Sequence, residues 1–348
     1  MSFARLLGIE LPILQAPMAG VQLGALAAAV SEAGGLGALP CAMLAPAAMT
    51  KELELIRSRT TRPFNVNFFC HAQPAADAER EAAWRRELEP YYREFGIDPA
   101  TIAAGPGRAP FSAQAADALE PFRPAVVSFH FGLPPPDLLA RVKRWGSKAF
   151  ASATTVEEAR WLEAKGVDAV IAQGVEAGGH RGNFLTSDLT TQLGTFALVP
   201  QVVAAVKVPV IAAGGIADAA GVAAAIALGA SAVQVGTAYL LTDEATTSAV
   251  HRAALKSEGA RHTALTNLFT GRPARGIVNR ILRELGPMNA RAPEFPLATA
   301  AIAPLRAKAE ARGSGDFSPL WSGQNASGCR EAPAAELTRE LASRLRSS

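Results

Sequence analysis

Cysteine is scarce. Cys41, Cys70 and Cys329 are the three in 348 residues, and no two form a Cys-x-x-Cys pair, which excludes a disulfide framework and a cysteine zinc site. A reducing compartment fits that usage. The chain also lacks a Ser-His-Asp arrangement, a paired-carboxylate spacing and a His-x-x-x-His motif, so neither triad hydrolysis nor a resident metal is indicated. No excess of charge exists either: 34 Lys and Arg face 31 Asp and Glu, a net charge of +3. Those charges are scattered rather than gathered into the basic stripe that phosphate backbones need, and nucleic acid is not expected as a partner. Aromatic residues are only 6%, and Trp84, Trp145, Trp161 and Trp321 form no stripe for stacking on bases. The longest uncharged stretch, Ala219 to Leu241, is interrupted by Gly221, Gly229, Ser231, Gln234 and Gly236. It reads as a buried helix, a stop and a buried strand, not a membrane span. After Arg5, Glu10 and Pro12 break the apolar run too early for a signal-peptide core. The expectation is a cytoplasmic protein with no membrane partner.

What is present is a large apolar core, with 49% hydrophobic and 19% charged residues punctuated by 30 Gly and 24 Pro. Short apolar runs bounded by Gly or Pro, separated by longer amphipathic segments, read as buried parallel strands alternating with helices. The strands are expected at Ile13 to Met18, Gly35 to Leu39, Phe64 to Phe69, Ala125 to Phe131, Lys148 to Ala153, Ala169 to Gln173, Val208 to Ala213 and Ala232 to Val235. Helices are expected between them, for instance at Gly24 to Ala33, Pro46 to Arg57 and Ala219 to Leu228. Eight such units in about 240 residues match a closed α/β barrel of the (β/α)8, or TIM, type. The rival is a doubly wound open sheet, whose Gly-x-Gly-x-x-Gly fingerprint is missing after the first strand. Residues 1–241 are therefore expected to form the barrel, 242–304 a smaller, mostly helical appendage over one mouth, and 305–348 a tail packing back on the barrel. The charged segment Glu79 to Glu94 reads as a solvated helix face.

In this architecture ligands sit at the C-terminal ends of the strands, and a phosphate commonly rests on the loops after strands seven and eight. Strand seven runs into Gly214-Gly215 and strand eight ends Gln234-Val235-Gly236-Thr237, where bare backbone N–H groups can approach an anion. Strand six ends in the most unusual segment, Gln173-Gly174-Val175-Glu176-Ala177-Gly178-Gly179-His180-Arg181-Gly182. Its glycines let backbone pass close beneath a flat ligand while His180 offers a general base near neutral pH. Asn65 and Asn67 share one face of strand three, and the amide nearer the strand end, Asn67, should bond something polar. His130 shares a face with Ser128 and is either a core histidine or a second polar group of the site. No role is assigned to His71, His251 or His262. Arg272, Arg275 and Arg280 are candidates to reach an anionic substrate from the appendage.

Taken together, the segments Gln15 to Gly20, Gly34-Gly35-Leu36-Gly37, Phe64 to Phe69, Ala172 to Gly182, Ala212 to Asp218, Gln234 to Thr237 and Leu320 to Gln324 resemble those of nitronate monooxygenases, formerly 2-nitropropane dioxygenases, in particular the class I enzymes. The resemblance implies an FMN-dependent barrel with a small helical domain covering the substrate. It implies Met18 beside the flavin ring, Asn67 and Gln173 bonding to the ring or its ribityl chain, with Asn65 as an alternative to Asn67. Gly178 and Gly215 would approach the flavin by their backbone, and Gln234, Val235, Gly236 and Thr237 would hold its phosphate. His180 matches the family's catalytic histidine and His130 one beside it. The implied reaction oxidises an alkyl nitronate such as propionate 3-nitronate with O₂, giving a carbonyl product and nitrite or nitrate. An FMN-dependent NAD(P)H:quinone reductase or enoyl-acyl-carrier-protein reductase of the same superfamily shares the glycine segments and is the alternative. Monomer and homodimer stay open.

Overall fold

The computed structural model describes residues 3–75, 77–102 and 107–345. Its strands, in chain order, begin with β1 (Ile13–Gln15), β2 (Gly37–Pro40), β3 (Phe64–Phe69), β4 (Val126–His130), β5 (Lys148–Ala153) and β6 (Ala169–Gln173). After these come β7 (Gly179–His180), β8 (Val210–Ala213), β9 (Ala232–Val235), β10 (Thr263–Thr266) and β11 (Ala274–Ile277). Eight of them pair in the order β1-β9-β8-β6-β5-β4-β3-β2, every pair parallel. A parallel bridge between Leu14 and Leu36, with the Gln15 N–H donating to the Leu36 carbonyl at 3.0 Å, joins the two ends of that sheet. The ring is a (β/α)8 barrel, and the open sheet is excluded.

Four strands, β3, β5, β6 and β9, have the edges expected from sequence. Of the other four, β2 runs from Gly37 to Pro40 and β4 loses one residue at each end, and the remaining two differences follow from proline. Pro17 has no N–H for a ladder, so β1 stops at Gln15 instead of running to Met18, and β8 begins at Val210, after Pro209. The uncharged stretch resolves into the helix Ala219–Ala227 and strand β9. No helix among the described residues is long and apolar enough to cross a membrane.

Alternation along the strands sorts the side chains into two layers. Val127, Val170, Val233 and Val235 face the helices, packing with Val222, Ala225, Leu198 and Val202. Leu14, Val126, Phe150, Ile171, Ile211 and Ala232 face inward and fill the lower barrel, where Phe3 and Leu7 of the N-terminal helix plug the floor. The C-terminal helix Ala334–Leu341 returns to the barrel wall through Ala334, Leu337 and Leu341, and the Tyr239 hydroxyl meets Thr338 Oγ1 at 2.9 Å.

A second core lies outside the barrel. Helix Ala78–Phe95, which leaves the barrel between β3 and β4, buries Trp84, Leu88, Tyr91, Tyr92 and Phe95 against Leu268, Phe269, Ile281, Ile302, Leu305 and Phe317. Its charges do face water, but every third or fourth residue is a large apolar one, and that stripe needs a partner. Beside this core β10, β11 and β7 form an antiparallel sheet, so a piece of the barrel's own sixth loop becomes the edge strand of the cover.

Candidate functional site

The same alternation that fills the lower barrel with apolar groups turns polar at the top. The inward faces end in Asn67, Ser128, His130, Ser152, Gln173 and Gln234, and all six line one cavity at the C-terminal mouth. Met18, Gly178, Gly215, Gly236, Thr237 and His180 line it too. Val235 is the exception among the residues to which the family resemblance gives a role. It sits one position out of phase with Gln234 and buries its side chain against the helices.

The floor is hydrogen-bonded. Asn67 donates through Nδ2 to Ser128 Oγ at 2.9 Å and to the Ser128 carbonyl at 3.2 Å, while Asn65 donates to the same Oγ at 2.9 Å. The Asn67 amide oxygen and the whole Gln234 amide have no hydrogen-bond partner among the described residues. After β8, Gly214 and Gly215 have φ of 120° and 72°, a backbone that L side chains resist. At Gly214 a Cβ would stand 2.8 Å from Thr195 Oγ1. The N–H groups of Gly215 and Ile216 bond no protein acceptor among the described residues. Here, then, is exposed backbone with donors to spare.

The sixth loop is clamped from several sides. Arg181 is fully buried and donates to the carbonyls of Gly174 at 2.6 Å and Gln173 at 2.8 Å and to Gln192 Oε1 at 3.0 Å. Gln173 closes the loop on itself, accepting from Gly182 N–H at 2.8 Å and donating to the His180 carbonyl at 3.0 Å. Farther along, the buried Glu158 carboxylate accepts from the Phe184 and Leu185 N–H groups at 2.6 and 3.2 Å. At Gly178 a Cβ would lie 2.6 Å from Gly323 N, because the tail segment crosses there.

These clamps deliver His180 to the cavity. Its Nε2 lies 2.9 Å from Thr270 Oγ1, which has the Arg272 carbonyl at 3.4 Å as its own acceptor. With the hydroxyl donating to that carbonyl, Nε2 donates to the hydroxyl and Nδ1 presents a lone pair. Burial, then the charge of Arg108, hold this imidazole well below the ordinary histidine range, and it is neutral at physiological pH. His130 is placed differently. Its Nε2 faces the His180 carbonyl at 3.2 Å and must donate to it; its Nδ1, 3.0 Å from Ser152 Oγ, must then accept. Both nitrogens are engaged, and burial lowers its pKa to about 3.

Aromatic rings roof the histidines. Phe69, Phe131, Phe295 and Trp321 all lie within 6.1 Å of the His180 ring, centroid to centroid. His71, given no role from sequence, stands edge-on to Phe295 at 4.8 Å in the same cluster. Phe131 has a φ of 69°, an uncommon state for a bulky residue, and the Arg272 guanidinium covers its ring at 4.0 Å. Of the arginines considered from sequence, Arg275 donates to the Val175 carbonyl at 2.9 Å and Arg280 pairs with Glu94 at 2.7 Å outside the cavity. None of the three lines the cavity. Arg108 does, and the sequence offered little to find it: a lone arginine in a loop of Gly and Pro.

Neutral buried histidines have a consequence for stability. His130, at about 3, and His251, lowered to about 4 mainly by burial, stay unprotonated in the fold, whereas the unfolded chain protonates them near 6.5. The unfolded state then binds more protons below pH 6.5, so their contribution is intact above that pH and is lost as pH falls. The slope is about half of 1.4 kcal/mol per unit per group at pH 6.5 and approaches that value at lower pH, so the pair should remove about 3 kcal/mol between pH 6.5 and 5. Denaturant titrations at those two pH values check this; equal stability at both would refute it.

The family model for nitronate monooxygenase matches residues 2–343. The chain belongs to the nitronate monooxygenase family. A curated nitronate monooxygenase of Pseudomonas aeruginosa is 45% identical, the alignment covering 99% of each chain. One from Paraburkholderia phytofirmans is 44% identical over 99% of this chain and 94% of its own. Among solved structures, a nitroalkane oxidase from Streptomyces ansochromogenes superposes with a TM-score of 0.89 at 41% identity, covering 98% of this chain and 97% of that one. FabK from Thermotoga maritima is more distant, with a TM-score of 0.71 at 30% identity over 97% and 93%. Nitronate monooxygenases are flavin-dependent oxidoreductases.

Proposed function

We propose that the protein is an FMN-dependent monooxygenase that oxidises alkyl nitronates such as propionate 3-nitronate with O₂, yielding a carbonyl product and nitrite or nitrate. Its membership of the nitronate monooxygenase family over nearly the whole chain carries this reading. The residues fit FMN. Exposed donors at Gly215 and Ile216, with Gly236 and Thr237 alongside, suit a phosphate; the Asn67 amide oxygen and the Gln234 amide suit the polar edge and side chain of a flavin; Met18 offers an apolar contact. Bound there, FMN supplies single-electron chemistry between an electron-rich nitronate and O₂, and the protein supplies orientation and electrostatics.

His180 is the group positioned to handle the substrate. Toward a nitronate that arrives already ionised, it is a hydrogen-bonding group that orients the anion. Toward a neutral nitroalkane, its Nδ1 lone pair accepts the α-proton, since Thr270 keeps the other nitrogen protonated. His130, with both nitrogens engaged, holds the His180 backbone rather than exchanging protons itself. The aromatic roof excludes water, which keeps the imidazole neutral. Residues 78–102 and the elements between 263 and 321 serve together as the cover.

The test separates this reading from a reductase of FabK type. Purified yellow protein is mixed anaerobically with NADH or NADPH, and separately with propionate 3-nitronate, before oxygen uptake is followed. We expect oxygen uptake with the nitronate and no bleaching by nicotinamide. Bleaching by the nicotinamide, with none by the nitronate, would overturn the assignment.

A further inference from the structure

We propose that Arg108 binds a carboxylate carried by the substrate away from its nitronate carbon, and thereby sets a preference for carboxylate-bearing nitronates over plain alkyl ones. The inference rests on the nitronate-oxidising reading above and assigns to one residue a specificity that the reading leaves unassigned.

Arg108 sits on the loop that leads from the cover helix Ala78–Phe95 toward β4, and Gln73 Nε2 ties down its carbonyl at 2.8 Å. Among the described residues it is the one lysine or arginine lining the cavity, and no aspartate or glutamate lines it. A guanidinium carries five donors and no acceptor. This one rests on the Phe295 ring, 5.3 Å from the centroid, and has no hydrogen bond or ion pair to any described residue. Burial brings its pKa down to about 10, with no acid nearby to oppose the fall, and it remains charged at neutral pH.

The other basic groups around the site are spoken for. Arg181 is consumed by the carbonyls of Gln173 and Gly174. Arg275 serves Val175 and Thr263. Arg272 bonds the Asn183 carbonyl and covers Phe131. Arg108 is thus a desolvated cation with no partner among the described residues, and a planar carboxylate matches its fork. Phe295 lies 5.3 Å from the His180 ring as well as from Arg108. One aromatic surface therefore joins a neutral imidazole, suited to the reacting end of a short ligand, to a cation suited to its far end.

The experiment compares kcat/KM for propionate 3-nitronate and for propyl-1-nitronate in the wild type, Arg108→Met and Arg108→Lys. Loss of a charged hydrogen bond predicts that the ratio of the two falls about tenfold to a hundredfold in Arg108→Met, chiefly through KM, and less in Arg108→Lys. Succinate, which replaces the nitronate with a second carboxylate, should bind the wild-type holoenzyme in calorimetry about tenfold more tightly than it binds Arg108→Met. An unchanged substrate ratio, or succinate binding that ignores the substitution, would overturn the proposal. Should the wild type oxidise neither nitronate, the functional reading fails, and the succinate comparison still decides the role of Arg108.

Discussion

Gly178→Ala should give a nearly colourless protein, while Gly179→Ala stays yellow. The two neighbours test different constraints. A methyl at position 178 would sit 2.6 Å from Gly323 N and from the Ser322 carbonyl carbon, both backbone atoms with no rotamer to escape into. Either the sixth loop or the tail has to move. If the tail moves, Gly323 loses its 2.9 Å bond to Thr237 Oγ1 and Gln324 its bond to the Glu176 carbonyl, at the place assigned to the cofactor phosphate. Overpacking of this kind costs about 1 to 3 kcal/mol in stability, and the displaced backbone should weaken flavin binding at least tenfold. Position 179 also lines the cavity, but a methyl there meets no protein atom within 4 Å, so against the protein alanine costs the left-handed backbone at φ 69°, about 1 to 3 kcal/mol. Flavin content after dialysis, read at the visible absorbance band, separates the two variants. Equal retention in both would mean that the contact between loop and tail does not shape the site.

That contact also shows which parts of the molecule the sequence exposes. The barrel was legible because a buried parallel strand is a short apolar run between breakers, and a run such as Ala169–Gln173 has one plausible set of edges. Edges failed where proline intervened, at Pro17 and Pro209, since the loss of one N–H matters to a ladder but hardly alters hydropathy. The helix Ala78–Phe95 looked solvated because half its residues are charged; its aromatic stripe becomes visible only beside its partners, Phe317 among them, more than two hundred residues away. The loop around His180 could be found because four glycines near a histidine are rare for any structural reason alone. Val235 was grouped with its neighbours, although period-two alternation turns it toward the helices while Gln234 faces the cavity. Arg108, His71 and Thr270 were not identified, and the reason is common to all three. Each reaches the site from a loop or cover segment distant in sequence, so its relevance lies in contacts such as those to Phe295 and His180, which leave no local pattern.

His180→Asn should lower turnover of neutral nitroalkanes by about 10² to 10⁴, the range that general-base catalysis supplies, with a much smaller effect on preformed nitronates. The sign follows from protonation. A neutral imidazole with its lone pair on Nδ1 is already the base, so wild-type activity on nitroalkanes should show no loss on the acid side as pH falls through 6.5, where an exposed histidine would protonate. Asparagine keeps a hydrogen-bonding group near the same position but cannot take a proton, so it should still orient an anion that has no proton to give. Thr270→Val tests the tautomer by itself. Without the hydroxyl, Nε2 loses its acceptor, both tautomers become accessible, and nitroalkane turnover should fall about tenfold while Thr270→Ser restores it. A chemical-shift measurement on ring-labelled histidine reports the tautomer independently of turnover. Equal losses on nitroalkane and nitronate in His180→Asn would show that the imidazole binds rather than deprotonates, and an acid limb centred near pH 6.5 in the wild type would show that the cage does not keep it neutral.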